Sequence, residues 1–356
     1  SQGESVANLW KPLFGSGVHI DFAYRTFRWD SEAKIKAQVH CVIVGFSVAP
    51  NHKEKVLYSS DRAQIVQNMN ADNVFIESRN KPICDVPEIG MGNQPIDDGN
   101  YLFTDEMKAE FLKKEPMSEK YFHPWYGAQE FINRSPRWCL WLGECPPNEL
   151  QKMPYCMKRI KAVRDFRLSS KRTSTNKLAD TPTRFQTENM PTGTYVVIPE
   201  VSSEKRKYIP MGYMDDTVLC SNKVRIMPNA TLYHFGILES NVHMAWMRVV
   251  CGRLKSDYDY SIKIVYNNFP WPMHNEAQKE KIEQTAQGIL DARALYPDCS
   301  LAALYDEVTM PPELRKAHQA NDRAVMQAYG FWGKLNTETA CVAELMKMYQ
   351  KLTERG

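Results

Sequence analysis

The sequence lacks the short motifs by which nucleotide, cofactor and metal sites are recognised. It contains no G-x-G-x-x-G loop and no P-loop, so neither dinucleotide nor triphosphate binding is indicated. The nine cysteines form no C-x-x-C pair and the histidines no H-E-x-x-H pair, which argues for reduced thiols and against a zinc site. No apolar run approaches the length of a membrane span and no signal-peptide pattern is present, so we expect a cytoplasmic protein.

The chain also has little net charge. Its 45 Lys and Arg against 42 Asp and Glu give +3, which does not by itself indicate a polyanionic partner. The distribution is uneven, however, because ten basic and only two acidic residues lie between Lys152 and Arg184. An aromatic-rich stretch, 122–142, comes directly before this basic segment. Aromatic residues beside dense positive charge favour contact with nucleic-acid phosphates and bases.

The basic segment is predicted to begin as a helix from about Pro147 to Leu168. Apolar residues at helical spacing, such as Cys156 and Ile160, indicate one buried face, and a solvated charged face is the alternative for the rest. The Ser- and Thr-containing tract 169–174 that follows favours phosphate contact. The predicted DNA-binding residues of this segment are Lys158, Arg159, Arg164, Arg167, Lys171, Arg172 and Arg184.

Two further polar segments are candidates for DNA contact. Glu204 and Arg206 lie in a turn between strands predicted at 195–201 and 207–211, and their side chains suit cytosine and guanine edges. An ordinary polar hairpin loop is the alternative. Arg253 and Lys255 lie in a segment that interleaves basic, hydroxyl and aromatic residues, which suits a nucleic-acid backbone. The alternative there is a capped loop whose tyrosines belong to the core.

The first fifty residues are predicted to form a helix over 5–14 and strands over 18–24 and 39–46. Aromatic residues at the end of the first strand suit a π-face for a base taken out of the duplex, although core packing is the usual role. Asp21, Glu32 and Lys34 weakly match a nuclease metal site, but such spacing is common by chance. Helices are expected at 104–114, beyond residue 270 and at 337–352, and strands at 138–142, 218–220 and 223–227.

Taken together and in order, these segments resemble the C-terminal part of adenine-specific DNA methyltransferases of the type IIG and IIL restriction–modification kind, the MmeI-like family. The resemblance spans essentially the whole chain. The matching stretches are 1–4, 22–29 (FAYRTFRW), 39–43, 127–132 (GAQEFI), 137–142 (RWCLWL), 198–204 (IPEVSSE), 208–210, 253–258 (RLKSDY), 266–272 (YNNFPWP) and 309–314.

The resemblance implies an α+β fold in three parts. Residues 1–50 would be the end of a Rossmann-like methyltransferase sheet, 51–270 a mixed α/β target-recognition domain for double-stranded DNA, and 271–356 a small helical domain. The family transfers a methyl group from S-adenosylmethionine to the N6 atom of a flipped adenine. By similarity, an aromatic residue of the Phe27 region would stack on that base: Phe27 or Trp29, with Tyr24 as the third possibility.

One departure from the family limits this expectation. The glycine-rich cofactor loop and the Asn-Pro-Pro-aromatic motif of such enzymes are both missing from the sequence. We therefore expect a segment of a longer methyltransferase that does not methylate by itself, with the remaining catalytic domain upstream. A stand-alone DNA-specificity module and an RNA-modifying enzyme are the alternatives.

Overall fold

The computed structural model describes residues 3–30, 38–48, 55–58, 63–65 and 74–354. For residues 25, 26, 28–30, 38–40 and 63–65 the backbone alone is described. Within these ranges, no helix is both long and apolar enough to cross a membrane.

The N-terminal part is a helix followed by a four-stranded sheet. Helix α1 (Ser5–Gly15) ends at a turn in which Gly17 adopts a φ of +87°, a left-handed conformation that suits glycine. The strands are β1 (His19–Asp30), β2 (Gln38–Ser47), β3 (Val56–Tyr58) and β4 (Ala63–Ile65), in the order β2-β1-β3-β4. The helix and the first two strands confirm the sequence prediction, and β1 pairs antiparallel with β2 but parallel with β3.

The middle of the chain forms three small sheets with intervening helices. The orders are β11-β9-β13-β5, β12-β7-β8-β6 and β10-β15-β14. The elements are β5 (Gly90–Met91), β6 (Leu102–Phe103), α2 (Asp105–Lys114), β7 (Phe122–Tyr126), α3 (Ala128–Asn133), β8 (Arg137–Leu140), α4 (Pro147–Leu150), α5 (Pro154–Leu168), α6 (Thr173–Lys177), β9 (Tyr195–Pro199), β10 (Val201–Ser202), β11 (Gly212–Met214), β12 (Leu219–Cys220), β13 (Val224–Pro228), α7 (Leu232–Leu238), α8 (Asn241–Val250), β14 (Gly252–Leu254) and β15 (Asp257–Asp259). Short 3-10 turns lie at Pro116–Tyr121 and Leu178–Asp180, and a π-helical turn at Ile262–Tyr266.

The C-terminal part is helical. It consists of α9 (Glu276–Ala294), α10 (Leu301–Leu304), α11 (Pro312–Ala328) and α12 (Glu338–Thr353). Ile282 and Ile289 of α9 lie in the same hydrophobic core as Val197 of β9 and Phe235 of α7. The change to helical structure near residue 271 is therefore not a break in the core. The mixed α+β architecture expected from the sequence is confirmed.

Two local predictions are wrong. The helix expected over 147–168 is two helices, because Pro154 has no N–H to continue α4 and instead occupies the first turn of α5. The strand expected over 207–211 does not form. The pairing strand comes just after it, where Gly212 lies opposite Val197.

Candidate nucleic-acid interface

Helix α5 has the two faces that the sequence predicts. Cys156, Ile160 and Val163 are buried in a second hydrophobic core beneath the β12-β7-β8-β6 sheet. Residues Lys158, Lys161 and Arg164 lie on the exposed side. This arrangement places positive charge on the solvent face of a helix whose other face is held by the core.

Three predicted DNA-binding residues of this segment lie against aromatic rings. The Arg159 guanidinium lies 4.8 Å from the centroid of Phe103, and the Lys158 ammonium lies 4.9 Å from that of Tyr155. Arg184 likewise lies 5.4 Å from the Trp141 centroid. Stacking of a cation on a ring limits its rotamers while leaving outward-facing donors available. The aromatic stretch and the basic segment are thus in direct contact.

Arg167 is buried, and its predicted role in DNA contact is wrong. The residue is 0% exposed, and its guanidinium makes five hydrogen bonds to main-chain carbonyl oxygens at 2.7–3.0 Å. The acceptors are the carbonyls of Pro95, Ile96, Leu178, Thr181 and Arg184. Because a guanidinium has five N–H donors, none remains for a phosphate. Burial also lowers the pKa of Arg167.

The tract after α5 is ordered by Asn176 of α6. Its side-chain amide donates to the carbonyls of Arg167, Leu168 and Ser170 at 2.9–3.0 Å. These bonds hold the 169–172 tract against α6. Lys171 and Arg172 of this tract are exposed, as is Arg164 near the end of α5. Arg184 is partly engaged, since it forms an ion pair with Glu188 at 2.8 Å and donates to the carbonyl of Gly143.

The structure brings the two other candidate segments together. Strand β10 pairs with β15, so the 203–206 turn lies against the β14–β15 hairpin. The Glu204 carboxylate lies 4.0 Å from Arg253, and the Glu204 N–H donates to Asp257 at 3.3 Å. Arg253 in turn lies 4.1 Å from the Tyr258 ring, and Lys255 occupies the hairpin turn with a φ of +59°.

Arg206 faces a cleft of about 240 Å³ between this turn and the C-terminal helices. It is half-buried, and burial lowers its pKa against the opposing effect of Asp257 and Asp306. Four further basic residues, not predicted from the sequence, line the cleft together with Glu204 and Glu307: Lys205, Lys207, Arg248 and Arg315. Arg248 is also paired with Glu338 at 2.7 Å. Nothing in the local sequence indicates this set, because it is assembled from three separate elements.

The N-terminal sheet presents an aromatic face. Tyr24 stacks on Tyr58 with a centroid distance of 4.5 Å, and Phe22 packs edge-on against both rings. Phe27 is half-buried and lies opposite Cys41, whereas Tyr24 lies opposite Ile43. The extra β1 residue between these pairs is a bulge, so Phe27 falls on the same face as Tyr24.

The remaining N-terminal candidates are only partly described. Trp29 pairs with Val39 through its backbone, but its side chain lies outside the described residues, as do Glu32 and Lys34. Asp21 accepts a hydrogen bond from Ser47 at 3.1 Å. Among the residues whose positions are described, no three His, Cys, Asp or Glu side chains are grouped so that they could hold a metal ion.

Three family models match consecutive parts of the chain. They are the MmeI DNA-methyltransferase domain over residues 1–59, the MmeI target recognition domain over 70–273, and the MmeI C-terminal domain over 274–355. The target-recognition match alone covers more than half of the sequence. Its range includes both the basic segment and the 203–206 turn.

Two relatives extend over the whole chain. DNA methyltransferase A of Bacillus subtilis (strain 168) is 39% identical over 360 residues, covering 100% of this chain and 41% of the relative. The solved structure of the type IIL restriction–modification enzyme MmeI in complex with DNA is 45% identical, with a TM-score of 0.95 over 99% of this chain and 48% of that one. The chain thus spans less than half the length of either. It belongs to the MmeI-like family of type IIL restriction–modification enzymes.

Proposed function

We propose that this chain recognises a sequence in double-stranded DNA for a longer enzyme that methylates adenine at N6. Residues 1–50 would complete the catalytic sheet, 51–270 would recognise the DNA, and 271–356 would support the recognition domain. The observation that carries this proposal is the convergence of Glu204, Arg206 and Arg253 beside a basic cleft, on a chain that also presents the charged face of α5. DNA in complex with the related MmeI supports the same partner class.

The exposed cations of the basic segment would contact phosphates. Arg164, Lys171 and Arg172 are exposed, while Lys158, Arg159 and Arg184 are steadied by aromatic rings. Phosphate contacts set the position of a duplex and add affinity, but they carry no sequence information. This surface would therefore bind any duplex, and its sequence would be recognised by other residues.

The 203–206 turn would recognise the bases. A carboxylate such as that of Glu204 accepts from the cytosine amino group, and a guanidinium such as that of Arg206 donates to guanine O6 and N7. Arg206 is already half-desolvated, with a lowered pKa, so an acceptor on a base edge would restore interactions that it has lost to burial. Arg253 and Lys255 on the adjoining hairpin would hold the nearby backbone.

S-adenosylmethionine would supply the methyl group in the whole enzyme. The residues that the structure describes do not form a site for that cofactor. The glycine-rich cofactor loop of a Rossmann-like fold leads from a strand into a helix. The Gly15-Ser16-Gly17 turn has the reverse order and leads from α1 into β1. The chain's own contribution near the reaction would be the aromatic face, where Phe27 would stack on a flipped adenine.

A salt titration of duplex binding tests the phosphate surface. We expect the triple variant Arg164→Gln, Lys171→Gln, Arg172→Gln to bind all duplexes more weakly and to lower the slope of log affinity against log salt by roughly 3. The matched control replaces Lys281, Lys334 and Lys351, three exposed lysines of the C-terminal part, with Gln. Equal slopes for the two triple variants would refute the phosphate role, and tighter binding of duplex RNA would refute the DNA assignment.

Selection from a random duplex pool tests base recognition. Glu204→Gln and Arg206→Gln should each change the bases enriched at particular positions, with a discrimination loss of about 1–3 kcal/mol at each. The phosphate triple variant should retain the original base preferences. Unchanged preferences in the Glu204 and Arg206 variants would show that sequence is recognised by other residues.

A further inference from the structure

The segment that follows the 203–206 turn is held by side chains rather than by a sheet. Tyr208, Ile209 and Met211 are buried, yet the strand predicted there does not form. The Tyr208 hydroxyl donates to Asp322 of α11 at 2.6 Å, and the Tyr208 ring stacks on His318 at 4.0 Å between centroids. The C-terminal helices thus contact the chain two residues after Arg206.

Asp322 links two elements at once. Its other carboxylate oxygen accepts from the N–H of Asn241, at the start of α8, at 2.7 Å. Asp322 is 7% exposed, and burial raises its pKa while the Tyr208 hydrogen bond opposes that effect. A buried carboxylate with both oxygens bonded fixes the distance and direction of its partners more closely than apolar packing would.

The other end of the segment is held in the same way. The Met211 N–H donates to Glu239 at 2.8 Å, and the Met211 carbonyl accepts from Arg293 of α9 at 2.6 Å. Arg293 also forms a buried ion pair with Glu239 at 2.7 Å. A second layer joins the two ends, because Tyr305 accepts from Arg293 at 2.9 Å and lies 2.8 Å from His318.

The turn itself has weaker local support. The Glu204 N–H bond to Asp257 is 3.3 Å long, and the Tyr258 hydroxyl approaches the Glu204 carbonyl at 3.5 Å. Both are at the long end of hydrogen-bond distances. Before the turn, Ser202 is paired with Tyr258, and after it the Lys207 carbonyl accepts from Arg248 of α8 at 2.9 Å. The first side chain after Arg206 that is held on α11 is Tyr208.

We propose that Asp322 is a positioning residue for base recognition, so that the C-terminal helices set the position of the 203–206 turn. This inference rests on the proposed role of Glu204 and Arg206. It assigns the helical part of the chain to sequence discrimination as well as to stability. Asp322 does not touch DNA in this proposal, because it acts through Tyr208.

Tyr208→Phe and Asp322→Asn test this in the full chain. The first keeps the ring stacked on His318 and removes the hydroxyl. The second keeps an acceptor for Asn241. Tyr296→Phe is the matched control, since it removes a phenol hydrogen bond of 2.8 Å to Glu313, in which the carboxylate also belongs to α11. Each variant is passed through the random-duplex selection, the salt titration and thermal unfolding.

We expect Tyr208→Phe and Asp322→Asn to lower discrimination about tenfold at the positions that Glu204→Gln alters, with an unchanged salt slope. Tyr296→Phe should retain the original preferences. A lower melting temperature with unchanged base preferences, or a uniform loss of affinity for all duplexes, would show a merely structural role and overturn the inference. If Tyr208→Phe does not fold, Asp322→Asn decides alone. An unsubstituted chain that selects no bases overturns the proposed function together with this inference.

Discussion

Arg164 and Arg167 lie one turn apart on α5 and occupy opposite environments. Arg164 is exposed, whereas the Arg167 guanidinium is fully enclosed by five main-chain carbonyl groups. These carbonyl groups belong to two segments outside α5, residues 95–96 and 178–184. Arg167 therefore joins the end of the basic helix to the loops on either side of it.

Replacing Arg167 with Lys should destabilise the protein by about 3–5 kcal/mol. A lysine offers three donors from one point, so at least two carbonyls would lose their partners and a buried charge would be poorly bonded. Urea unfolding measures the change. Arg164→Lys is the control and should alter stability by less than ~0.5 kcal/mol. Equal unfolding midpoints for the two variants would contradict the role assigned to Arg167.

Stability should fall as the pH drops below the ordinary pKa of histidine. His243 is 0% exposed, its two ring nitrogens lie 3.0 Å from the Leu238 carbonyl and the Tyr260 hydroxyl, and burial lowers its pKa to about 3. Below pH ~6.5 His243 binds a proton in the unfolded chain but not in the folded chain. Its contribution to the free energy of unfolding is therefore complete above that pH and is lost on acidification. At pH 5 the loss should be about 2 kcal/mol.

Urea unfolding between neutral pH and pH 5 measures this effect. His243→Gln should show a shallower dependence of unfolding free energy on pH than the unsubstituted chain. Part of the slope should remain, because burial also lowers the pKa of His234 to about 4 and that of His318 well below its usual range. The exposed His274→Gln serves as control. A His243→Gln slope equal to that of the unsubstituted chain would contradict the prediction.

Two glycines should respond in opposite directions to substitution by alanine. A Cβ atom at Gly92 would lie 2.2 Å from the Ser221 carbonyl oxygen and 2.8 Å from that of Cys220, so Gly92→Ala should cost about 1–3 kcal/mol. A Cβ atom at Gly288 in α9 would meet nothing within 4 Å, so Gly288→Ala should stabilise by ~0.5–1 kcal/mol. Thermal unfolding of both variants checks the pair, and a stabilising Gly92→Ala would refute the close approach.

Elements with local signals were predictable from the sequence. Thr104 accepts from the N–H of Met107 at the start of α2, and Thr337 caps α12 in the same way, as their positions before acidic residues indicate. Helices α7 and α8 were missed because nearly all their residues are buried and the sequence shows no polar face. Membership in the MmeI-like family was also recognisable, since ordered motifs identify a family without any knowledge of contacts.

The sequence by itself determined the family, the α+β class and the buried stripe of α5. Only the tertiary structure decided which basic residues are exposed, because Arg164 and Arg167 are the same residue type on one helix and differ in what packs against them. It also brought Glu204 to Arg253 and Tyr208 to Asp322, pairs separated by 49 and 114 residues. Local propensities act over a few neighbouring residues, whereas such pairs form only when strands and helices from distant parts of the chain close one core.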